Sequence, residues 1–384
     1  MPHHRPPSLS RRTLLTGAAA TALPWLGMGT AQAQDATIVL GQSTDLSGPL
    51  ADLGQAMHQG AQLVFNAVNA RGGIHGRTIT LNTLDDAYDV KKAEANAKQL
   101  LADSNTFALF NCMGTPHVEA MLPLVKESGI PFFSPFTGAQ SARIAARNVF
   151  NVRAGYADEA EKQIQHLVTL GIKRIAVAHQ ANSFGKEVYN NVQRAMGKLQ
   201  LPEGVNATVA NDGQDAKAAA QKIAQAEPEA VILGLAGKPT LEFVKAFRAL
   251  RRGTALYALS VMGTPATLTA LGADAAGINI TQVVPMPNSP TVPISREFLQ
   301  AWKASGAKAE PSHLALEGYI NARVFCEALQ RTGKTLTRSS FLDALWTFKK
   351  WDLGGFEINA TEPGHNASRF VELTLVGRDG KFMR

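Results

Sequence analysis

The chain is short of the features that mark most specialised classes. With 2 cysteines in 384 residues it has no disulfide framework, and at 45% hydrophobic and 18% charged it lies far from the balance of a disordered chain. Past residue 33, no uncharged apolar run approaches the roughly 20 residues that a membrane-spanning helix needs, which excludes a transmembrane protein. Catalytic signatures are missing as well. There is no His-Glu-x-x-His, Gly-x-Ser-x-Gly or Cys-x-x-Cys, and the seven histidines beyond residue 33 are scattered without ligand spacing. No metal site, cofactor or catalytic triad is indicated, although a missing motif does not exclude an enzyme.

A strong charge is lacking too. The formal charge is +7, but residues 1–33 hold Arg5, Arg11 and Arg12 with no acid, which leaves +4 for the rest with no basic run. That is too dilute for a nucleic-acid partner. Two glycine-rich stretches fail as nucleotide loops. Gly234-Leu-Ala-Gly237-Lys238-Pro239 has the wrong glycine spacing and no Ser or Thr after its lysine. Gly72-Gly73-Ile74-His75-Gly76-Arg77 follows a helical pattern and precedes a strand, the reverse of a dinucleotide fingerprint, and reads as a helix cap and turn.

What is present begins with a leader. Ser10-Arg11-Arg12 precedes an apolar stretch from Leu14 to Leu26 and then Ala31-Gln32-Ala33, so cleavage before Gln34 and export to the periplasm are expected. The Arg-Arg pair fits either a twin-arginine signal or an ordinary secretory one. No cysteine near the cleavage site offers a lipid anchor. Cys112 and Cys326 either pair or stay free and buried.

Length gives room for about two domains of roughly 150 residues. Strand patterns at Thr37–Gln42, Thr78–Leu84, Thr106–Phe110, Ile130–Ser134, Arg174–Ala178, Ala230–Gly234 and Ala255–Leu259 alternate with helical ones at Gln55–Asn69, Val90–Ala102, Pro116–Glu127, Ala157–Leu170, Lys186–Leu199, Ala216–Ala226 and Leu241–Leu250. This order predicts an α/β fold with parallel sheets covered on both faces, with ligands at the carboxyl ends of the strands. One β-α-β series ends near residue 150 and a second begins near Tyr156. Pro285, Pro287, Pro290 and Pro293 crowd into what reads as a linker, followed by helical stretches Ser312–Arg331 and Ser339–Phe348 and a strand at Phe370–Leu375.

Three loops leaving strand ends carry polar groups. Phe110-Asn-Cys-Met-Gly114-Thr115-Pro116 places Thr115 as an N-cap with Pro116 at the first helical position, a geometry suited either to a carboxylate or to capping alone. Ser134-Pro-Phe136-Thr137-Gly138-Ala139 brings further hydroxyls to the same edge, or is a plain polar loop. Asp85-Asp86-Ala-Tyr88-Asp89 offers acids for an ammonium group, or an Asp89 cap with solvated neighbours.

These loops, with Ser47-Gly48-Pro49 and Asn69-Ala-Arg-Gly-Gly-Ile-His-Gly76, occur in the order and spacing of the leucine/isoleucine/valine-binding proteins, and from about residue 37 to 376 the chain resembles that family of type I periplasmic solute-binding proteins. The resemblance implies two doubly wound parallel-sheet lobes joined by a three-stranded hinge. Lobe 1 is then 36–154 plus about 286–350, and lobe 2 is 155–285 plus about 351–384. It implies a monomer that closes on a small carboxylate-bearing ligand and docks on the permease and ATPase subunits of an ABC importer. A ligand-sensing receptor of the same fold is the alternative. By the same resemblance Thr115 holds the ligand carboxylate, Phe136 adds a backbone contact, Gly138 lacks the family's hydroxyl with Thr137 beside it as substitute, Phe184 covers the ligand and Leu53 selects its side chain. Two positions depart from the amino-acid binders. Val261 replaces the Glu that pairs with an α-ammonium, and Ala236 replaces a Tyr. Burying an unpaired ammonium costs several kcal/mol, so either Asp85, Asp86 or Asp158 reaches it or the ligand is a carboxylate, aliphatic or aromatic, without one.

Overall fold

Strand and helix alternate along the chain as the sequence pattern predicts. The computed structural model describes residues 37–383; the leader and its cleavage site lie outside the described residues. The first series is β1 (Ile38–Thr44), α1 (Ala51–Ala70), β2 (Ile79–Asp85), α2 (Val90–Ala102), β3 (Thr106–Phe110), α3 (Thr115–Ser128), β4 (Phe132–Phe133) and β5 (Val149–Phe150). The second is α4 (Tyr156–Thr169), β6 (Ile175–Gln180), α5 (Ser183–Lys198), β7 (Asn206–Val209), α6 (Ala216–Gln225), β8 (Ala230–Gly234), α7 (Lys238–Leu250), β9 (Ala255–Ala258), α8 (Pro265–Leu271) and β10 (Ile278–Gln282). Then come α9 (Pro293–Ala304), α10 (His313–Thr332), α11 (Arg338–Leu345), the short pair β11 (Trp351–Asp352) and β12 (Glu357–Ile358), β13 (Glu372–Val376) and β14 (Phe382–Met383).

Two main sheets result. The first, in the order β2-β1-β3-β4-β5, is parallel throughout. The second runs β14-β13-β10-β9-β8-β6-β7, parallel from β7 to β10 with β13 and β14 antiparallel at one edge. Strands buried on both faces explain their near-continuous apolar runs, such as Ala230 to Leu233, each fully buried. The chain crosses between the sheets three times, after β5, after β10 and before β13. The first and third crossings are joined by Ala367 N–H to Asn151 C=O at 2.8 Å and Ser368 N–H to Val152 C=O at 2.8 Å.

The first sheet's core includes Phe65, Phe110, Phe133, Phe150 and Phe325, with α1 and α10 crossing at Gly60 and Gly318. The resemblance assigns residues 351–384 to lobe 2, but Leu353, Phe356, Ile358, Ala360 and Ala367 all pack into this first core. Phe356, Ile358 and Ala360 alternate, so the extended segment turns one face inward, and only β13 and β14 join the second sheet. The proline cluster also hides a helix: Pro293 opens α9, where a missing N–H costs nothing. Both cysteines are free and buried.

Candidate functional site: a cavity between the two sheets

The loops leaving β3 and β4 are zipped together. Gly114 N–H donates to Phe136 C=O at 3.1 Å, Phe136 N–H to Cys112 C=O at 2.8 Å, and Met113 N–H to Ser43 C=O at 3.1 Å. Gly114 itself takes φ 96°, and a Cβ there would lie 2.6 Å from His117 Nδ1, so both conformation and space require glycine. Here the structure corrects the expected cap: Gly114 is the N-cap of α3, and Thr115 is its first helical residue. Freed from capping, the Thr115 hydroxyl lies 2.7 Å from the Thr137 hydroxyl, which also accepts from Ala139 N–H at 3.1 Å. One hydroxyl proton serves that pair and the other is left to donate to an acceptor in the cavity. Arg143 holds the loop from behind, its Nη1 donating to Thr137 C=O at 2.7 Å and Ala139 C=O at 3.0 Å.

Gly138 is explained by its neighbour. A Cβ at this position would overlap the Tyr156 ring, so the hydroxyl-bearing side chain that the resemblance expects is traded for an aromatic from α4. Tyr156 meets Phe184 edge to face with centroids 5.4 Å apart. Tyr88 supplies a further wall at φ 57°, its N–H held by Asp86 Oδ1 at 3.0 Å. Ala87, Tyr88, Asn111 and Ser134, non-glycine residues with positive φ, all sit on loops at this edge of the first sheet, where such strain collects around functional sites.

The structure brings six of the eight expected residues onto one cavity: Leu53, Thr115, Phe136, Phe184, Ala236 and Val261. Thr137 and Gly138 stand directly behind them. Leu50, Met113, Tyr88 and Tyr156 also line it. Of these Tyr88 and Met113 lay in motifs quoted from the sequence; Tyr156 had no local signal, since its fit depends on a glycine 18 positions away. Every lining residue lies at or just beyond a strand's carboxyl end or a helix start, as parallel sheets require.

Among the described residues no acid lines the cavity. The candidates for an ammonium partner are engaged elsewhere. Asp85 accepts from Leu46 N–H and Ser47 Oγ at 2.8 and 2.5 Å, and the Ser47 bond holds its carboxyl below the usual range. Asp86 accepts from Ser43 Oγ at 2.7 Å, and burial pushes its pKa up to about 6. Asp158 caps α4 through Gly155 N–H at 2.9 Å and takes Asn366 Nδ2 at 3.0 Å. Asp89 caps α2, accepting from Lys92 N–H at 2.9 Å. Behind Val261, the buried Glu159 is consumed by Ser260 N–H at 2.8 Å, Thr281 Oγ1 at 2.6 Å and Arg153.

The two faces of the cavity meet. Asp52 accepts from Thr264 Oγ1 at 2.5 Å across one rim, and Gln140 N–H donates to Glu187 Oε1 at 2.9 Å across another. The space between is about 20 Å³, room for roughly one water, so a larger guest requires the faces to part. Among the described residues no group of three His, Cys, Asp or Glu is placed to hold a metal ion, and no helix is long and apolar enough to cross a membrane.

Known proteins match this arrangement along the chain. A family model described as periplasmic binding protein matches residues 37–381. A Leu/Ile/Val-binding protein homolog of Brucella melitensis is 25% identical over 362 residues, 93% of this chain and 95% of the relative. The crystal structure of a substrate-binding periplasmic protein from Ralstonia solanacearum is 33% identical with a TM-score of 0.82, covering 90% of this chain and 99% of that one. A solute-binding protein of an ABC transporter from R. palustris, solved in complex with benzoate, shares the fold with a TM-score of 0.80 at 21% identity, covering 90% and 95%. With two α/β sheets, parallel but for β13 and β14, whose strand-end loops line one cavity, and a family model matched over residues 37–381, the chain belongs to the leucine/isoleucine/valine-binding family of type I periplasmic binding proteins.

Proposed function

We propose that this is a periplasmic solute-binding protein that captures a small carboxylate without an α-ammonium group, aliphatic or aromatic, and delivers it to an ABC importer. The observation that carries the reading is the pairing of Thr115 and Thr137 hydroxyls, 2.7 Å apart, at the end of a cavity whose other walls are apolar or aromatic and include no acid. A carboxylate takes the donated proton; an ammonium finds no partner, and its burial unpaired costs several kcal/mol. Val261 and Ala236, both almost fully buried, line the second sheet's side of the chamber and offer it no polar side chain. The benzoate complex of the R. palustris protein agrees with this reading to the extent that the fold accommodates an aromatic carboxylate elsewhere. Closure follows from differential affinity, since the ligand favours the state in which both sheets contact it.

The test is a thermal-shift screen of unfolded and refolded chain against benzoate, hexanoate, succinate and the twenty amino acids. At a hundred times its dissociation constant a ligand adds about 2.7 kcal/mol. Stabilisation by benzoate or hexanoate and not by leucine is expected. Stabilisation by α-amino acids alone overturns the ligand class.

A further inference from the structure

We infer that Arg153, which is not part of the cavity lining, is the positioning residue that holds the cavity's two aromatic walls and its Val261 turn in register. The inference rests on reading the cavity as the ligand site. Arg153 lies on the first crossing between the sheets, with its side chain 1% exposed. Its guanidinium carbon stands 5.2 Å from the Phe136 ring centroid and 5.7 Å from that of Tyr156, both within cation–π range. Nη2 donates to Ser260 Oγ at 2.5 Å, one residue before Val261, and to Glu159 Oε1 at 3.3 Å. Nη1 is 3.6 Å from Glu317 Oε1 on α10. Phe136 and Glu317 belong to elements packed on the first sheet, whereas Tyr156, Glu159 and Ser260 belong to the second.

Ion pairs with the buried Glu159 and Glu317 balance the charge of Arg153, but they do not by themselves set the plane of its guanidinium. Glu159 already accepts from Ser260 N–H, Ser260 Oγ and Thr281 Oγ1 at 2.8, 3.0 and 2.6 Å. Arg153 Nε and Nη1 and Glu317 Oε1 make no hydrogen bond, an arrangement poorly suited to a cation whose purpose is to saturate donors and acceptors. What the planar group does satisfy is the two rings at once. Its backbone is tied to the hydroxyl loop as well, because Arg143 Nη2 donates to Arg153 C=O at 3.3 Å while Nη1 grips Thr137 and Ala139. A lysine would keep the charge and lose the plane.

The test labels the chain with 3-fluorotyrosine, whose five tyrosines give fluorine signals, that of Tyr156 being assigned with Tyr156→Phe. In Arg153→Lys, compared under native conditions, we expect the Tyr156 signal to move while those of Tyr189, Tyr257 and Tyr319 stay, and benzoate affinity to fall ~10-fold. A Tyr156 signal and a benzoate affinity both unchanged within about twofold would overturn the inference and leave Arg153 a structural counter-ion. Should the lysine variant not fold, Arg153→Met with Glu317→Gln removes both members of that ion pair; an unmoved Tyr156 signal there overturns it equally. If the wild-type chain ignores benzoate, the ligand class proposed above fails on its own, and the fluorine signals still decide the role of Arg153.

Discussion

At the scale of single residues the site is built from substitutions that make sense only in pairs. Thr115 gives up capping because Gly114 takes the cap, and its hydroxyl meets Thr137 instead. Thr115→Val keeps the shape and removes that group. Loss of a hydrogen bond to a charged partner costs about 1.5–3 kcal/mol, so titration calorimetry with any carboxylate that the chain binds should show affinity falling ~10–100-fold. An affinity equal to wild type would move the anchor away from this hydroxyl pair. Gly138 and Tyr156 form the second pair. Gly138→Ala drives a Cβ into the Tyr156 ring and is expected to cost about 1–3 kcal/mol in urea denaturation. Placed on a Tyr156→Ala background the same change should be nearly neutral, because the clashing ring is gone. Persistence of the full cost on that background would place the strain elsewhere.

At the scale of elements, glycine means opposite things at a helix crossing and on a free helix face. Gly60 in α1 lies against the backbone of Ala315, and Gly318 in α10 against that of Met57, so the two helices touch main chain to main chain. Gly197, near the end of α5, has nothing within 4 Å of an added Cβ. Alanine should therefore stabilise at Gly197 by about 0.5–1 kcal/mol through helix propensity and destabilise at Gly60 by 1–3 kcal/mol or more, roughly as overpacking does, in paired denaturation curves. Equal signs at the two positions would refute the crossing as described. Elements with strong local pattern were legible in the sequence: β3, β8 and α2 have the bounds that periodicity assigns them. Those missed had their signal diluted. β7, Asn-Ala-Thr-Val, is four residues long, β10 interrupts its apolar run with Asn279 and Thr281, and α9 begins inside a proline cluster. Among the cavity's loop positions, Thr115 and Phe136 sat in quoted motifs and Val261 was reached only through the family resemblance; all three line the cavity. Tyr156 and Arg153 were not, because what fixes them is contact between the two sheets, which no local window records.

At the scale of the whole molecule, the two sheets communicate through three crossings and through side chains wedged at their seam. His313 is one of these. It opens α10, which packs on the first sheet, and meets Phe382 of β14 in the second sheet edge to face, centroids 5.0 Å apart. Neither ring nitrogen has a hydrogen-bond partner, and burial pushes its pKa down to about 3. The imidazole is thus neutral when folded and takes a proton below about 6.5 when unfolded. Its contribution to stability is complete above pH 6.5 and is lost as the pH falls toward 3, on the order of 2 kcal/mol by pH 5. Asp86 works in the other direction. With a folded pKa of about 6 against the ordinary 3.8, its folded carboxyl takes a proton first, and stability rises as the pH falls through that window. A pH profile of the native chain therefore mixes opposing slopes, and the difference between native chain and His313→Leu separates them. Measured by urea unfolding, that difference should move in favour of the leucine variant by on the order of 2 kcal/mol between pH 7 and pH 5, whereas a constant difference would mean that the imidazole accepts its proton in the folded seam.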